Sequence, residues 1–304
     1  MGYIFAATST ALWSVNFIIA RALNETISPV SLAFLRWTVA VLVFSPFALR
    51  GAIRQRRLVR KNFLYILVCA LLGVTLFNTL IYFAGRTSPA INLSLISMIF
   101  PVFVLILARL VWGERIGVLR SAGVGVVLLG VVILISDGRV DVILSLAFSP
   151  GDILVLLAAS VFAGYSMLVR RKPPELSATV FQYATFVFGL VMLAPAFLID
   201  RITSPPLTLA PSTLSAIVYI GVFASLVAFL TWNRAVGLVG PSRASMMYYT
   251  LPVFSGILAY FFLGEEFGLT HLVSLALVVA GIFMATRKPA AKMSPATVLS
   301  LERK

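Results

Sequence analysis

Acidic residues, histidine and cysteine are all scarce in this chain. Of 304 residues only 11% are charged, and only ten are Asp or Glu. Soluble domains carry about 25% charge. His271 and Cys69 each stand alone as the single residue of their kind. A zinc site takes a set of Cys, His or carboxylate ligands, so no metal centre is expected. No internal disulfide can form from one cysteine; Cys69 lies in an apolar run and reads as a small packing residue. The ten acids (Glu25, Glu114, Asp137, Asp141, Asp152, Glu175, Asp200, Glu265, Glu266 and Glu302) all fall in connections or at the ends of apolar runs. Metal-dependent group transfer therefore lacks its ligands inside the apolar runs. Gly164-Tyr165-Ser166 lacks the following glycine of a nucleophile elbow. The chain is expected to be no enzyme and to use no cofactor.

What the sequence has instead is apolar surface. Hydrophobic residues make up 61% of it, against about 45–50% in soluble proteins, and the mean hydropathy is +1.05. A soluble fold of this size cannot hide that much apolar area from water, so a polytopic membrane protein is expected. A spanning helix needs about 20 residues. Apolar runs bounded by Gly, Pro and charge predict ten of them, over 2–20, 29–49, 63–84, 89–111, 117–136, 152–169, 177–199, 213–233, 241–263 and 269–286. The first run has no basic segment before it and no convincing cleavage site, so it reads as a retained helix rather than a signal peptide.

The formal net charge is +14. In a soluble protein that excess would point to nucleic acid; here it points to Lys and Arg gathered on one membrane face, with lipid as the partner and no nucleic acid. With the N-terminus inside, 19 of the 24 basic residues fall in inside segments and four outside, leaving Arg36 within a span. The positive-inside rule then places both termini in the cytoplasm. The stretch from Arg50 to Lys61 reads as the main topogenic loop, with a lipid-headgroup patch as the alternative. Asn24-Glu25-Thr26 is a glycosylation sequon, but it lies against the membrane and does not settle the host.

The chain also repeats itself. Pro101-Val102-Phe103, Ile106-Leu107-Ala108, Gly113-Glu114 and Gly130 recur as Pro252-Val253-Phe254, Ile257-Leu258-Ala259, Gly264-Glu265 and Gly281, always 151 residues on. Each half would hold five helices, an odd number, so the second half must enter the membrane inverted. Inverted repeats are a device of secondary transporters. The predicted fold is thus an all-α membrane protein of ten transmembrane helices in two inverted five-helix repeats: 1–136, a linker at 137–151, 152–286, and a cytoplasmic tail at 287–304.

That layout, with Phe34-Leu35-Arg36-Trp37 and the two Pro-Val-Phe…Gly-Glu blocks, resembles the EamA family of the drug/metabolite transporter superfamily. Within it the chain looks most like the bacterial aromatic amino-acid exporter (YddG) type. The resemblance covers nearly the whole chain. It implies an inner-membrane transporter with a small-molecule substrate, exporting amino acids or similar metabolites by alternating access. A multidrug or nucleoside-type exporter is the alternative within this class, and an ion channel or scaffold is the alternative outside it. Small multidrug relatives in the superfamily carry a glutamate in the first helix, where this chain has Trp13, Ser14 and Asn16. No lysine lies inside a span, which argues against phosphate cargo. A neutral or zwitterionic solute with apolar bulk is expected, moving by facilitated diffusion.

Side chains with an apolar body and a polar tip are the candidates for contact with it: Trp13, Asn16, Phe17, Asn78, Tyr82, Ser94, Ser97, Met98, Tyr165, Trp232, Ser245, Tyr248 and Tyr249. Together they suggest an aromatic-walled cavity with scattered neutral donors and acceptors; singly, each also suits interhelical glue. Pro101 and Pro252 fall near mid-span and are candidates for conformational change. A helical proline frees the carbonyl four residues back, here those of Ser97 and Tyr248. Arg36, about 10 Å from its helix end by the helical rise, is expected to snorkel outward or pair near the interface; carboxylate binding is the alternative.

Overall fold

The computed structural model describes the chain except residues 24–25, 89–92, 94–95, 115, 137, 145–148, 205–206, 208–209, 252, 255–268 and 287–304, and except the side chains of 17, 18, 20–22, 134–135 and 271. The candidates Ser94 and Pro252, the side chain of Phe17 and the predicted tail 287–304 lie outside the described residues.

Among the described residues every regular element is helical: α1 (Gly2–Leu23), α2 (Pro29–Arg54), a short α3 (Arg56–Lys61), α4 (Phe63–Ala84), α5 (Phe100–Trp112), α6 (Val118–Ser136), a short α7 (Val140–Leu144), α8 (Pro150–Arg170), α9 (Ala178–Thr203), α10 (Pro211–Val239), α11 (Pro241–Ala244) running into a 3-10 segment Ser245–Thr250, and α12 (Leu269–Thr286). Five of these, α2, α4, α8, α9 and α10, are long and apolar enough to cross a bilayer, and shorter apolar helices accompany them. Leu42, Phe47, Leu64, Leu110, Val191 and Ile202 are exposed apolar side chains. Water would penalise such a surface and lipid would not. The chain is an integral membrane protein.

The ends of α2 and α9 are built alike. Ser28 and Ser177 cap them from extended backbone, each side-chain oxygen accepting the N–H three residues on, and each helix runs 26 residues with a proline inside, Pro46 and Pro195. The two pack antiparallel, cap to tail. Ser28 Oγ and Ser31 Oγ donate to Asp200 Oδ2, the latter at 2.6 Å, while at the other end Ser177 N donates to Gln55 Oε1 at 3.1 Å. One turn in from Asp200, Phe34 stacks on Phe197 with ring centroids 4.1 Å apart.

Other partners are antiparallel too. A Cβ on Gly123 of α6 would stand 2.7 Å from Gly281 O, and one on Gly281 of α12 would stand 2.6 Å from Gly123 O, so these helices touch backbone to backbone. Such contact suits helices in lipid, where association relies on close packing rather than on the hydrophobic effect. α1 runs against α10, with Ser9 Oγ 2.8 Å from Thr231 Oγ1 and Trp13 Nε1 donating to Ala224 O at 3.0 Å. α8 runs against α4: Ser88, just beyond α4, donates to Asp152 Oδ1 at 2.7 Å, and the Tyr165 ring lies on Gly73. Each of the two central helices, α4 and α10, contains a π-helical stretch, Leu71–Leu76 and Ile220–Val227.

Where the sequence predicts a continuous helix over 89–111, the chain turns at Met98–Ile99 and α5 starts afresh at Phe100. Pro101 therefore sits in a first turn, where its missing N–H has no intrahelical partner to lose, and not at a mid-helix kink.

Candidate functional site

At the centre of the bundle lies a layer of rings. Trp13 of α1 meets Phe162 of α8 edge-on at 5.4 Å, Phe229 of α10 at 5.8 Å and Trp232 at 5.4 Å. Phe100 of α5 joins Trp232 at 5.7 Å and Tyr248 at 5.0 Å. Their polar tips are spoken for: Trp232 Nε1 donates to Ser166 Oγ at 3.1 Å, and Tyr248 pairs with the Ser97 side chain. Edge-to-face pairs of this kind are worth about 0.5–1.5 kcal/mol beyond burial. The sequence predicts an open aromatic-walled cavity at Trp13, Trp232 and Tyr248. Among the described residues these three side chains are buried, and each has a partner ring across the bundle.

On one side of the layer is a cluster around Arg36. Its side chain is fully buried. Nε donates to Ser225 Oγ at 2.7 Å; Nη1 donates to Asn78 Oδ1 at 2.9 Å, to Asn16 Oδ1 at 3.3 Å and to Tyr82 Oη; Nη2 donates to Ala224 O at 3.2 Å. The guanidinium also lies 5.4 Å from the Trp37 ring centre and 5.7 Å from that of Tyr82. No carboxylate pairs with it among the described residues. The expectation that Arg36 snorkels outward is thus corrected. Three helices meet it with oxygen atoms, and that set of neutral acceptors makes a buried position tolerable.

The π-helical stretch of α10 explains two of those acceptors. One extra residue in the turn displaces the backbone so that Ser225 Oγ reaches back five residues to Ile220 O at 2.8 Å, while still accepting from Arg36. Ala224 O receives both Trp13 Nε1 and Arg36 Nη2. π-bulges are frequent at functional sites.

On the other side of the layer is a second, neutral cluster. Asn233 Nδ2 donates to Tyr165 Oη at 2.8 Å and to Gln182 Oε1. Gln182 and Asn233 floor a cavity of about 470 Å³, walled by Phe5, Phe181, Thr231 and Leu238. It opens at the end of the bundle that carries Lys172 and Arg234. At that mouth, burial pushes the Lys172 ammonium below its usual range. Lys172 Nζ donates to the carbonyls of Pro173 and Leu176. The same end holds Glu114, paired with Arg170 at 3.2 Å and accepting from Ser242 Oγ at 2.8 Å. The far end is fastened by the serines on Asp200 and Asp152.

Of the candidates read from sequence, the structure brings Asn16, Asn78 and Tyr82 together on Arg36, and Trp13, Trp232 and Tyr248 in the ring layer, with Ser97 bonded to Tyr248. Tyr165 joins the neutral cluster. Met98, Ser245 and Tyr249 are buried; Ser245 Oγ merely bonds back to Ser242 O at 3.3 Å, and Tyr249 Oη has no partner among the described residues. The sequence candidates leave out Gln182, Ser225 and Asn233, and hold Arg36 only as an alternative carboxylate binder. Gln182 and Asn233 carry a signal, since an amide in an apolar run must find partners. Ser225 carries none.

A sequence model of the EamA-like transporter family matches this chain at residues 1–136 and again at 149–287. The chain belongs to that family. Among its relatives are an uncharacterized transporter of Archaeoglobus fulgidus, 26% identical over 94% of this chain and 97% of the relative, and the uncharacterized transporter YyaM of Bacillus subtilis, 25% identical over 93% of each. A probable terminal-alkyne amino-acid exporter of Streptantibioticus cattleyicolor is 27% identical over 91% of this chain and 90% of its own. A solved crystal structure at 22% identity superposes with a TM-score of 0.73, covering 94% of this chain and 96% of the other, and so shares the fold. The protein is a membrane transporter of the EamA family.

Proposed function

We propose that the chain is a secondary transporter that exports amino acids with apolar or aromatic side chains, and similar metabolites, by alternating access. Its ten spans form two inverted five-helix repeats, 1–136 and 152–286, with both termini in the cytoplasm. The antiparallel packing of equivalent helices supports the repeat: α2 on α9, α6 on α12, and the exchanged pairs α1 on α10 and α8 on α4. The observation that carries the reading is a cavity that enters from the basic end and reaches Gln182 and Asn233, while among the described residues serine–aspartate contacts fasten the far end. About 470 Å³ suits one small solute. The ring layer suits one with an aromatic or bulky apolar group, and the related amino-acid exporter supports the solute class.

The test is counterflow in proteoliposomes preloaded with unlabelled L-phenylalanine. Labelled L-phenylalanine should enter transiently, with L-leucine competing and glucose not competing. Entry of glucose at the same rate, or a steady ion conductance in place of counterflow, would overturn the reading.

A further inference from the structure

We propose that Arg36, Asn78 and Tyr82 form the receptor for a carboxylate on the transported solute. This rests on the transport reading above and narrows it to solutes with a carboxylate group.

Arg36 is a buried cation whose partners among the described residues are all neutral oxygens. Those oxygens solvate the charge without cancelling it, so a net positive charge stands beside the ring layer, in low-dielectric surroundings that strengthen its attraction for an anion. Nη1 has two hydrogens to offer and three oxygens around it, from Asn16, Asn78 and Tyr82. Nη2 gives one hydrogen to Ala224 O and has a second to give. A carboxylate can take hydrogens from both Nη atoms, in the bidentate geometry that favours Arg over Lys, by displacing one crowded neutral acceptor.

A second donor stands in the same place. Asn78 is 4% exposed, and its Nδ2 has no hydrogen-bond partner among the described residues. The orientation of this amide is settled by chemistry: its oxygen must face the guanidinium, since the reverse would set an N–H against a cation. The group left over beside Arg36 is therefore an N–H2, a donor in want of an acceptor, and such a buried donor is costly to leave unmade. A cation and an orphan amide donor call for the same ligand atom, an anionic oxygen. Beyond Arg36, Trp13 shares the Ala224 carbonyl, so a carboxylate held here would direct the rest of the solute toward the rings.

The experiment uses the purified full-length protein in detergent and four probes at equal concentration: L-phenylalanine, L-phenylalaninamide, 3-phenylpropionate and phenethylamine. The two carboxylates should raise the melting temperature, and the amide and amine should not. Asn78→Asp places a carboxylate on the chain itself, within reach of Arg36. That variant should melt at or above the temperature of the wild type, yet bind 3-phenylpropionate at least about tenfold more weakly, the scale expected when a charged hydrogen-bonded partner is pre-empted. Equal stabilisation by carboxylate-free analogues, undiminished 3-phenylpropionate binding by Asn78→Asp, or no shift with any probe would overturn the assignment. Counterflow separates the two readings. Transport of phenethylamine as fast as L-phenylalanine sinks the carboxylate receptor and leaves the transporter; 3-phenylpropionate binding without counterflow of any probe does the reverse.

Discussion

At the scale of single residues, the two polar clusters are near-counterparts with one decisive difference. Asn16 and Tyr82 stand on α1 and α4 where, 149 and 151 residues on, Tyr165 and Asn233 stand on α8 and α10. Amide and phenol have changed places between the halves: Tyr165 and Asn233 bond directly, whereas Asn16 and Tyr82 both accept from Arg36. Arg36 has no such counterpart. The residue 149 positions later is Thr185, whose hydroxyl bonds back to its own helix at Phe181 O, 2.8 Å away. One cluster is therefore cationic and the other neutral. A central Arg costs about 2.5–3.5 kcal/mol on insertion scales, whereas an interhelical hydrogen bond in lipid returns about 0.6 kcal/mol on average. Nε, Nη1 and Nη2 give four hydrogens to the oxygens of Ser225, Asn16, Asn78, Tyr82 and Ala224, and four such bonds return about 2.4 kcal/mol, close to the cost of the charge. These acceptors come from three helices besides its own and not from a flexible loop.

At the scale of elements, glycine decides the closest contact. A Cβ at Gly123 would lie 2.6 Å from Ala285 N and 2.7 Å from Gly281 O, both backbone, whereas one at Gly125, two residues along the same helix, would meet nothing within 4 Å. The pair makes a controlled comparison, because helix propensity changes equally at both sites. Gly123→Val should destabilise the protein by about 1–3 kcal/mol through overpacking and lower the melting temperature in detergent, while Gly125→Val should leave it unchanged. Equal melting of the two variants would mean that α6 and α12 do not rely on this contact. These helices are legible in the sequence because their runs end at Gly, Pro or charge: α4 and α12 lie where the pattern puts them, and α2 and α9 run one turn further into the polar flank. The turn at Met98–Ile99 is not legible, since an apolar run reads the same whether or not its hydrogen-bond ladder breaks. The π-helical stretches are hidden for the same reason, and with them the acceptors they aim at Arg36. Asn16 and Asn78 are legible as inward-facing amides. That both face Arg36 is a property of three helices meeting, which spacing along one of them cannot express.

At the scale of the whole molecule, the described acids mark where charge is tolerated. Asp152 and Asp200 stand in the first and last turns of α8 and α9, Glu114 follows α5, and Glu175 lies between α8 and α9; none stands in the ring layer. The proposed orientation sets the cavity end, where basic residues concentrate, in the cytoplasm by the positive-inside rule. Single cysteines at Arg57 and Thr203, both exposed, test this after Cys69 is replaced. An impermeant thiol reagent on whole cells should label position 203 and spare position 57, and the opposite pattern would reverse the orientation. Coupling to protons then becomes a question of what could carry one. Proton-driven carriers place a titratable group in the substrate pathway. On the proposed pathway between Gln182 and Arg36 the described side chains are amides, hydroxyls, aromatic rings and a guanidinium, with no carboxylate or imidazole among them. A zwitterionic solute brings no net charge, so the membrane potential adds little to its movement. Net export should follow the gradient of the solute alone. In proteoliposomes, an imposed pH gradient should therefore leave the final L-phenylalanine level at the outside concentration and change only the time taken to reach it. Accumulation above that level, collapsing when a protonophore is added, would defeat the facilitated-diffusion reading and point to the acids at the helix ends, Glu114 first, as the proton carriers.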